Sequence, residues 1–112
     1  VWVGCGGSDG PTRYRYSGKV TFNGQPVPAG EIIFEPDGRA GNKGPQGFAQ
    51  ISNGRYDTGR DKGSVGGPQI VRLRGYDAVV LDENKPVKIL FDNRELREDL
   101  PKKDATKDFE VK

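Results

Sequence analysis

The stretch SGKVTFNGQPVPAGEIIFEPD, residues 17–37, contains two alternating segments that are separated by turn residues. In the first segment, Val20 and Phe22 share one parity, whereas Lys19 and Thr21 share the other. Successive side chains of a β-strand point to opposite faces, so this alternation predicts a strand with one buried face and one solvent-facing face.

The turn inside this stretch is Asn23-Gly24, two residues that both tolerate a positive φ and therefore favour a tight hairpin. The segment PVP at residues 26–28 indicates an extended edge, because proline cannot donate to a central ladder. EIIFE, residues 31–35, is predicted to be the second main strand. Gly18, in the middle of the first strand, indicates a bulge or a close approach of another backbone.

Similar short segments recur along the rest of the chain. Two ranges are less regular: residues 77–86 fit either a short strand or a packed loop, and residues 93–106 are predicted to be irregular. A helical turn over residues 94–100 is an alternative there, because acidic and basic residues lie at helical spacings. Further strands are predicted at residues 47–51, 55–58, 69–76, 87–91 and 109–111. About seven short strands with turns between them are typical of an antiparallel β-sandwich.

The composition places the chain among single polar globular domains. It has 112 residues, of which 32% are hydrophobic and 30% are charged, with 17 glycines and 8 prolines that suit many turns. The formal net charge is only +2, and the two signs are interleaved. No basic block stands beside an aromatic platform, so we expect no nucleic-acid partner.

The absence of histidine excludes several kinds of chemistry. A Ser-His-Asp triad, a Cys–His pair and imidazole acid–base catalysis all need a residue that the chain lacks, as does most zinc binding. A carboxylate pair is conceivable, but a small domain of short loops rarely encloses a substrate cleft. Its members would come from Asp57, Asp61, Asp77, Asp82 and Glu83. We therefore expect no enzyme activity, no cofactor, no metal and no small-molecule substrate.

The opening motif resembles a known family. Its pattern is G-x-V, a short turn, G-x-P-hydrophobic-x-G and an alternating apolar strand, at Gly18, Val20, Gly24, Pro26, Val27, Gly30, Ile32 and Phe34. In these positions the chain resembles carboxypeptidase-regulatory-like domains, which are transthyretin-like (prealbumin-like). GFAQISNGRYDT, KGSVGGPQIVRLRGY and LPKKDATKDFEVK are similar to later segments of that family, and residues 77–100 depart from it. The resemblance implies an antiparallel, seven-stranded β-sandwich of Greek-key type that is usually non-enzymatic.

The only cysteine, Cys5, precedes every predicted strand and lies in the glycine-rich segment GCGGSDGP, residues 4–11. An incidental exposed thiol is one interpretation, and an attachment point for a lipid anchor is the other. The chain resembles in particular small envelope lipoproteins of the planctomycete type, whose leader ends in Gly-Cys before a glycine-rich tether. Gly4-Cys5 fits that lipobox, whereas Trp2 stands where leucine is usual.

The resemblance then implies a division of the chain into two parts. Residues 1–12 would hold the end of a leader, the lipid-bearing Cys5 and the tether, and residues 13–112 would form the domain. The protein would lie in the bacterial cell envelope, on its periplasmic or outward-facing side. Its partners would be the membrane, through the lipid, and an envelope protein or polysaccharide.

Four residues are candidates for a ligand or partner surface: Arg72, Arg74, Asp57 and Asp61. The two arginines share one strand face and could bind an anionic glycan, or they could line a solvated face and pair with nearby acids. The aspartates lie at predicted loops, where surface carboxylates are common, and no calcium-loop spacing occurs. These residues define the alternative function, a soluble or secreted carbohydrate- or Ca²⁺-binding module.

Overall fold

The computed structural model describes residues 12–78 and 87–112, whose regular structure is β apart from a 3-10 turn at Gly38–Ala40. The strands are β1 (Tyr16–Phe22), β2 (Gln25–Pro26), β3 (Ala29–Pro36), β4 (Gly47–Ser52), β5 (Arg55–Asp57), β6 (Gly67–Tyr76), β7 (Ile89–Leu100), β8 (Ala105–Thr106) and β9 (Phe109–Val111). The predicted all-β class is confirmed. Two short strands, β2 and β8, add to the seven that the sequence predicts.

The strands form one curled sheet, a half-barrel, in the order β2-β1-β5-β4-β3-β6-β7. These neighbours all pair antiparallel, as predicted, whereas β8 and β9 pair parallel with β1. The strand β1 therefore carries β5 and β2 on one edge and β8 and β9 on the other, which brings the end of the chain back to its beginning.

Two hairpin turns have the conformation that their sequences predict. Asn23 and Gly24 have φ values of 51° and 85°, and they join β1 to β2 where Phe22 pairs with Gln25. Asn53 and Gly54 have φ values of 52° and 76°, and they join β4 to β5. Two successive residues with positive φ give the type I′ turn, whose twist matches that of the flanking strands.

The core is the inner face of the curled sheet, with an aromatic cluster at its centre. Phe34 on β3 is fully buried, and its ring centroid lies 5.8 Å from that of Tyr16 and 6.1 Å from those of Tyr56 and Phe109. The two buried tyrosines also hold the segment before β9, since Tyr16 donates to the carbonyl of Pro101 and Tyr56 to that of Lys107. Burial raises the pKa of Tyr16 to about 12.

Gly18 shows the close backbone approach that its mid-strand position predicts. The amide of Lys107 donates to the carbonyl of Ser17 at 2.8 Å, and Asp108 accepts from the amide of Lys19 at 2.9 Å. A Cβ atom on Gly18 would collide with the carbonyl oxygen of Lys107 and lie 2.8 Å from Oδ1 of Asp108. The absence of a side chain at this position therefore lets the final segment pack against β1.

The sequence prediction for residues 93–106 is wrong in its larger part, because β7 extends as a strand through Leu100. The helical turn that was an alternative over residues 94–100 does not form. The charged side chains at these positions pair across strands instead, since β7 lies beside β6 with Leu96 opposite Val71 and Glu95 opposite Arg72. A pattern of charges alone does not distinguish pairing within a helix from pairing across a sheet.

The start of β7 also departs from simple alternation. The pairing with β6 shifts between Leu73 and Tyr76, and Asn93 has a φ of 49°. Phe91 is buried, whereas Ile89, predicted to share its parity, is 51% exposed. The ambiguous residues before this strand, 79–86, lie outside the described residues.

The substitution Gly18→Ala tests the close approach at β1. We expect it to lower the free energy of unfolding by about 1–3 kcal/mol, since the added methyl must displace the Lys107 backbone. Urea unfolding followed by circular dichroism measures this. Gly38→Ala is the matched control, because nothing lies within 4 Å of a Cβ built there. Equal effects of the two substitutions would contradict the proposed contact.

Candidate functional site

The predicted surface residues on strands share the outer face of the sheet, which is the face opposite the aromatic core. Along this face Arg74 lies opposite Glu31, Glu31 lies opposite Gln50, and the register of β4 and β5 places Asp57 beside Gln50. Three strand spacings therefore separate Asp57 from Arg74, or about 14 Å. The outer face includes Phe48, Gln50, Ser52, Arg55, Asp57, Glu31, Ile33, Glu35, Ile70, Arg72, Arg74, Tyr76, Glu95 and Arg97.

Arg72 lies between two carboxylates on this outer face. Its guanidinium donates to Glu35 at 3.0 Å from one side and pairs with Glu95 on the other. The hydrogen bond to Glu35, with a smaller contribution from Glu95, raises the pKa of Arg72. The residue therefore links three neighbouring strands, β3, β6 and β7.

Arg74 makes a similar pair one step along β6. Its Nε donates to Oδ1 of Asp92 at 2.6 Å, and this contact is the main cause of a raised pKa. Both arginines thus lie on a solvent-facing surface and pair with nearby acids, which is the second of the two arrangements considered for them. An open depression of about 450 Å³ lies between them, with Glu31 and Ile33 among its lining residues.

Asp57 and Asp61 come together at a second open depression, of about 510 Å³, which also includes Phe48 and Lys62. The carboxylate of Asp57 accepts from Nε of Arg15 and from the amide of Gly59, each at 2.9 Å. These two donors lower the pKa of Asp57 to about 2, and the Arg15 guanidinium is the larger cause.

Asp61 contributes through its backbone, since its carbonyl accepts from Nη1 of Arg13 at 2.7 Å. The Nζ of Lys62 lies 5.6 Å from the ring centroid of Phe48, which places a cation over an aromatic ring of the outer face. This depression therefore combines an aromatic ring, a cation and a carboxylate that is already held by an arginine.

The described residues contain no candidate metal-binding group and no candidate membrane-spanning helix. Across residues 12–78 and 87–112, no group of three or more acidic, cysteine or histidine side chains could hold a metal ion. The same part of the chain contains no helix long and apolar enough to cross a membrane. Cys5, Asp82 and Glu83 lie outside the described residues.

The sequence did not identify the acids that complete the outer face. Glu35, Glu95 and Asp92 each contact an arginine that was predicted, and Arg15 holds Asp57. The segment EIIFE contains part of this information, because its two acids, Glu31 and Glu35, have the parity that faces away from the core. Which arginine each acid contacts can be inferred only when the pairing of β3 with β6 is known.

Comparisons of the chain with protein-family models, with curated proteins and with solved structures found no match. The resemblance to carboxypeptidase-regulatory-like domains therefore remains a prediction from the sequence motifs.

The substitution Arg15→Ala tests the electrostatics of Asp57. The wild-type carboxyl should titrate near pH 2, and the variant should titrate at a higher pH, closer to the ordinary aspartate value of about 4, because only the weaker contact with the Gly59 amide remains. An acid titration of the carboxyl resonances by NMR measures both values. Arg55→Ala is a control on the same strand, and an Asp57 pKa unchanged in Arg15→Ala would contradict the assignment.

The same pair gives a pH dependence of stability with a definite sign. Because folding lowers the pKa of Asp57, its stabilisation is present above about pH 4 and is lost as the pH falls toward 2. The pair is half-exposed, so solvent screening keeps the effect small. Arg15→Ala should remove this part of the acid dependence.

Proposed function

We propose that the protein is a non-catalytic module of the bacterial cell envelope, anchored to the membrane by lipid on Cys5, with a structural or recognition role. The observation that carries the proposal is the position of the only cysteine, in Gly4-Cys5, before a glycine-rich segment and a domain that begins at Arg13. Two or more acyl chains on one residue give durable attachment, and a flexible spacer lets the domain clear the headgroups.

The proposed fold family is supported by the way in which the curled sheet covers its own core. Phe109 on β9 packs against Phe34 on β3 with a centroid separation of 6.1 Å, so strands from distant parts of the sheet share one core. Lys107 pairs with Glu98 on β7 at 3.0 Å, across the open side of the half-barrel. We therefore propose a variant of the transthyretin-like sandwich in which the two layers are continuous.

The location of Arg13 supports an arrangement in which one end of the sheet faces the membrane. The guanidinium of Arg13 donates to the carbonyls of Asp61 and Gln46, in the loops that precede β4 and follow β5. A Cβ atom built on Gly66 would lie 3.0 Å from Cγ of Lys102, so the loop before β6 lies close to the segment after β7 at this end. The loops at this end, residues 12–15, 37–46, 58–66 and 101–104, carry more bases than acids: Arg13, Arg15, Arg39, Lys43, Arg60, Lys62, Lys102 and Lys103 against Asp37, Asp61 and Asp104.

Such an end suits the surface to which Cys5 would be attached. Eight residue steps separate Cys5 from Arg13, and a fully extended chain of that length reaches at most about 28 Å. Anionic headgroups attract basic residues within about a Debye length of the surface. The outer face, with its depressions and paired arginines, would then be available to an envelope protein or polysaccharide.

Mass spectrometry of the protein isolated from its native membranes tests the anchor. We expect a mature chain that begins at Cys5 and carries acyl chains on that residue, because lipid is added at the lipobox cysteine. Cys5→Ser should move the protein from the membrane fraction to the aqueous fraction. An unmodified Cys5 with residues 1–4 still attached, and no protein in the membrane fraction, would overturn the proposal.

A further inference from the structure

The outer edge of β7 is the longest strand edge without a ladder partner among the described residues. The strand has 12 residues and pairs with β6 along one edge only. Residues of both parities are exposed near its middle, including Arg94 on one and Glu95 on the other. An unpaired row of backbone N–H and C=O groups can pair with a strand of another chain.

The charges along this edge are arranged for a second copy of itself. The central sequence is Arg94-Glu95-Leu96-Arg97-Glu98, in which reversing the order exchanges the positions of the basic and acidic residues. In an antiparallel pair of β7 strands related by a two-fold axis at Leu96, Arg94 faces the second copy's Glu98. Glu95 likewise faces the second copy's Arg97, so the axis generates four opposite-charge pairs.

The registers next to the one centred on Leu96 are unfavourable. A shift of the axis by one full residue brings Asp92 opposite Glu98, or Glu95 opposite Asp99. Like charges directly opposite one another are destabilising, so the register centred on Leu96 is favoured over the two registers next to it.

From this open edge and its charge pattern, we propose that two copies of the protein associate antiparallel through β7 and form one sheet that continues across both molecules. Charges on an edge strand often serve only to keep it unpaired. Charges that only prevent pairing need no particular order. Here, however, each of the four charged residues in residues 94–98 lies opposite a residue of the other sign. The inference is independent of the lipid anchor.

The existing contacts of β7 are compatible with this pairing. All four charged residues have contacts on their own chain: Arg94 donates to the carbonyl of Lys112, and Glu95, Arg97 and Glu98 pair with Arg72, Asp37 and Lys107. When the two strands pair, each of these charges is shared between its own-chain partner and the second copy. The second half of β7 also pairs with β6 without interruption, from Arg94 opposite Leu73 to Leu100 opposite Gly67. A short ladder with exposed charges forms a small interface, so we expect a dissociation constant of about 10 μM to 1 mM.

Sedimentation equilibrium of the full 112-residue chain tests the proposal over about 10 μM to 1 mM. The weight-average mass should rise from one to two chains across this range and stop there. Arg94→Glu and Glu98→Arg should each weaken association by about tenfold or more, because each replaces two attractive pairs by two repulsive ones. Thermal unfolding of each variant confirms that it is folded.

An equimolar mixture of Arg94→Glu and Glu98→Arg is the decisive arm. In a mixed dimer every altered charge again faces its opposite, so association should return to near the wild-type level. Lys103→Glu, which changes the net charge as Arg94→Glu does but lies after β7, should dimerise like the wild type. A wild-type chain that stays monomeric to 1 mM, an Arg94→Glu variant that still dimerises normally, or a mixture that remains monomeric would each overturn the proposal.

Discussion

The contact of the Phe34 ring with Tyr16, Tyr56 and Phe109 is the interaction on which the rest of the structure depends. Phe34 is fully buried on β3, in the middle of the curled sheet, and the three rings around it come from β1, β5 and β9. Burying one such side chain contributes about 1.5–3 kcal/mol, and aromatic pairs add to that. The short strands at the end of the chain depend on this contact most, because β9 pairs with β1 over only three residues.

The concentration of apolar residues on one face determines the character of the other. A single curled sheet has one inner face, so the outer parity of β3, β6 and β7 is left to solvent and is occupied mainly by charged side chains. Arg72 links Glu35 to Glu95 and so joins three strands at a fixed register. Each exposed pair contributes at most about 1 kcal/mol, so these contacts define a surface more than they stabilise the fold.

The sequence predicted the features that depend on local chemistry. Both Asn-Gly turns, the alternation of β1 and β6 and the backbone approach at Gly18 follow from conformational preferences that act within a few residues. The later part of β7 could not be found in the same way. Leu96 and Leu100 are its only apolar residues after Phe91. The strand is stabilised by backbone pairing with β6, which cannot be predicted from the sequence of β7 alone.

The candidate site shows the same division between local and distant information. The parity of Arg72 and Arg74 correctly placed both side chains on one face, but their acidic partners come from β3 and β7 and depend on strand register. Asp57 was identified from its turn, whereas Arg15, which lowers its pKa, lies 42 positions away in the chain. The parallel return of β8 and β9 to β1 is likewise a long-range feature with no local signature.

A double-mutant cycle on Phe34 and Phe109 measures the central contact directly. Phe34→Leu and Phe109→Leu are made singly and together, and the free energy of unfolding is determined for all four proteins by urea denaturation. If the two rings hold β9 against the middle of the sheet, the cycle gives a coupling energy of about 0.5–1.5 kcal/mol. Strictly additive losses would contradict this account, since they would show that the rings stabilise the protein independently.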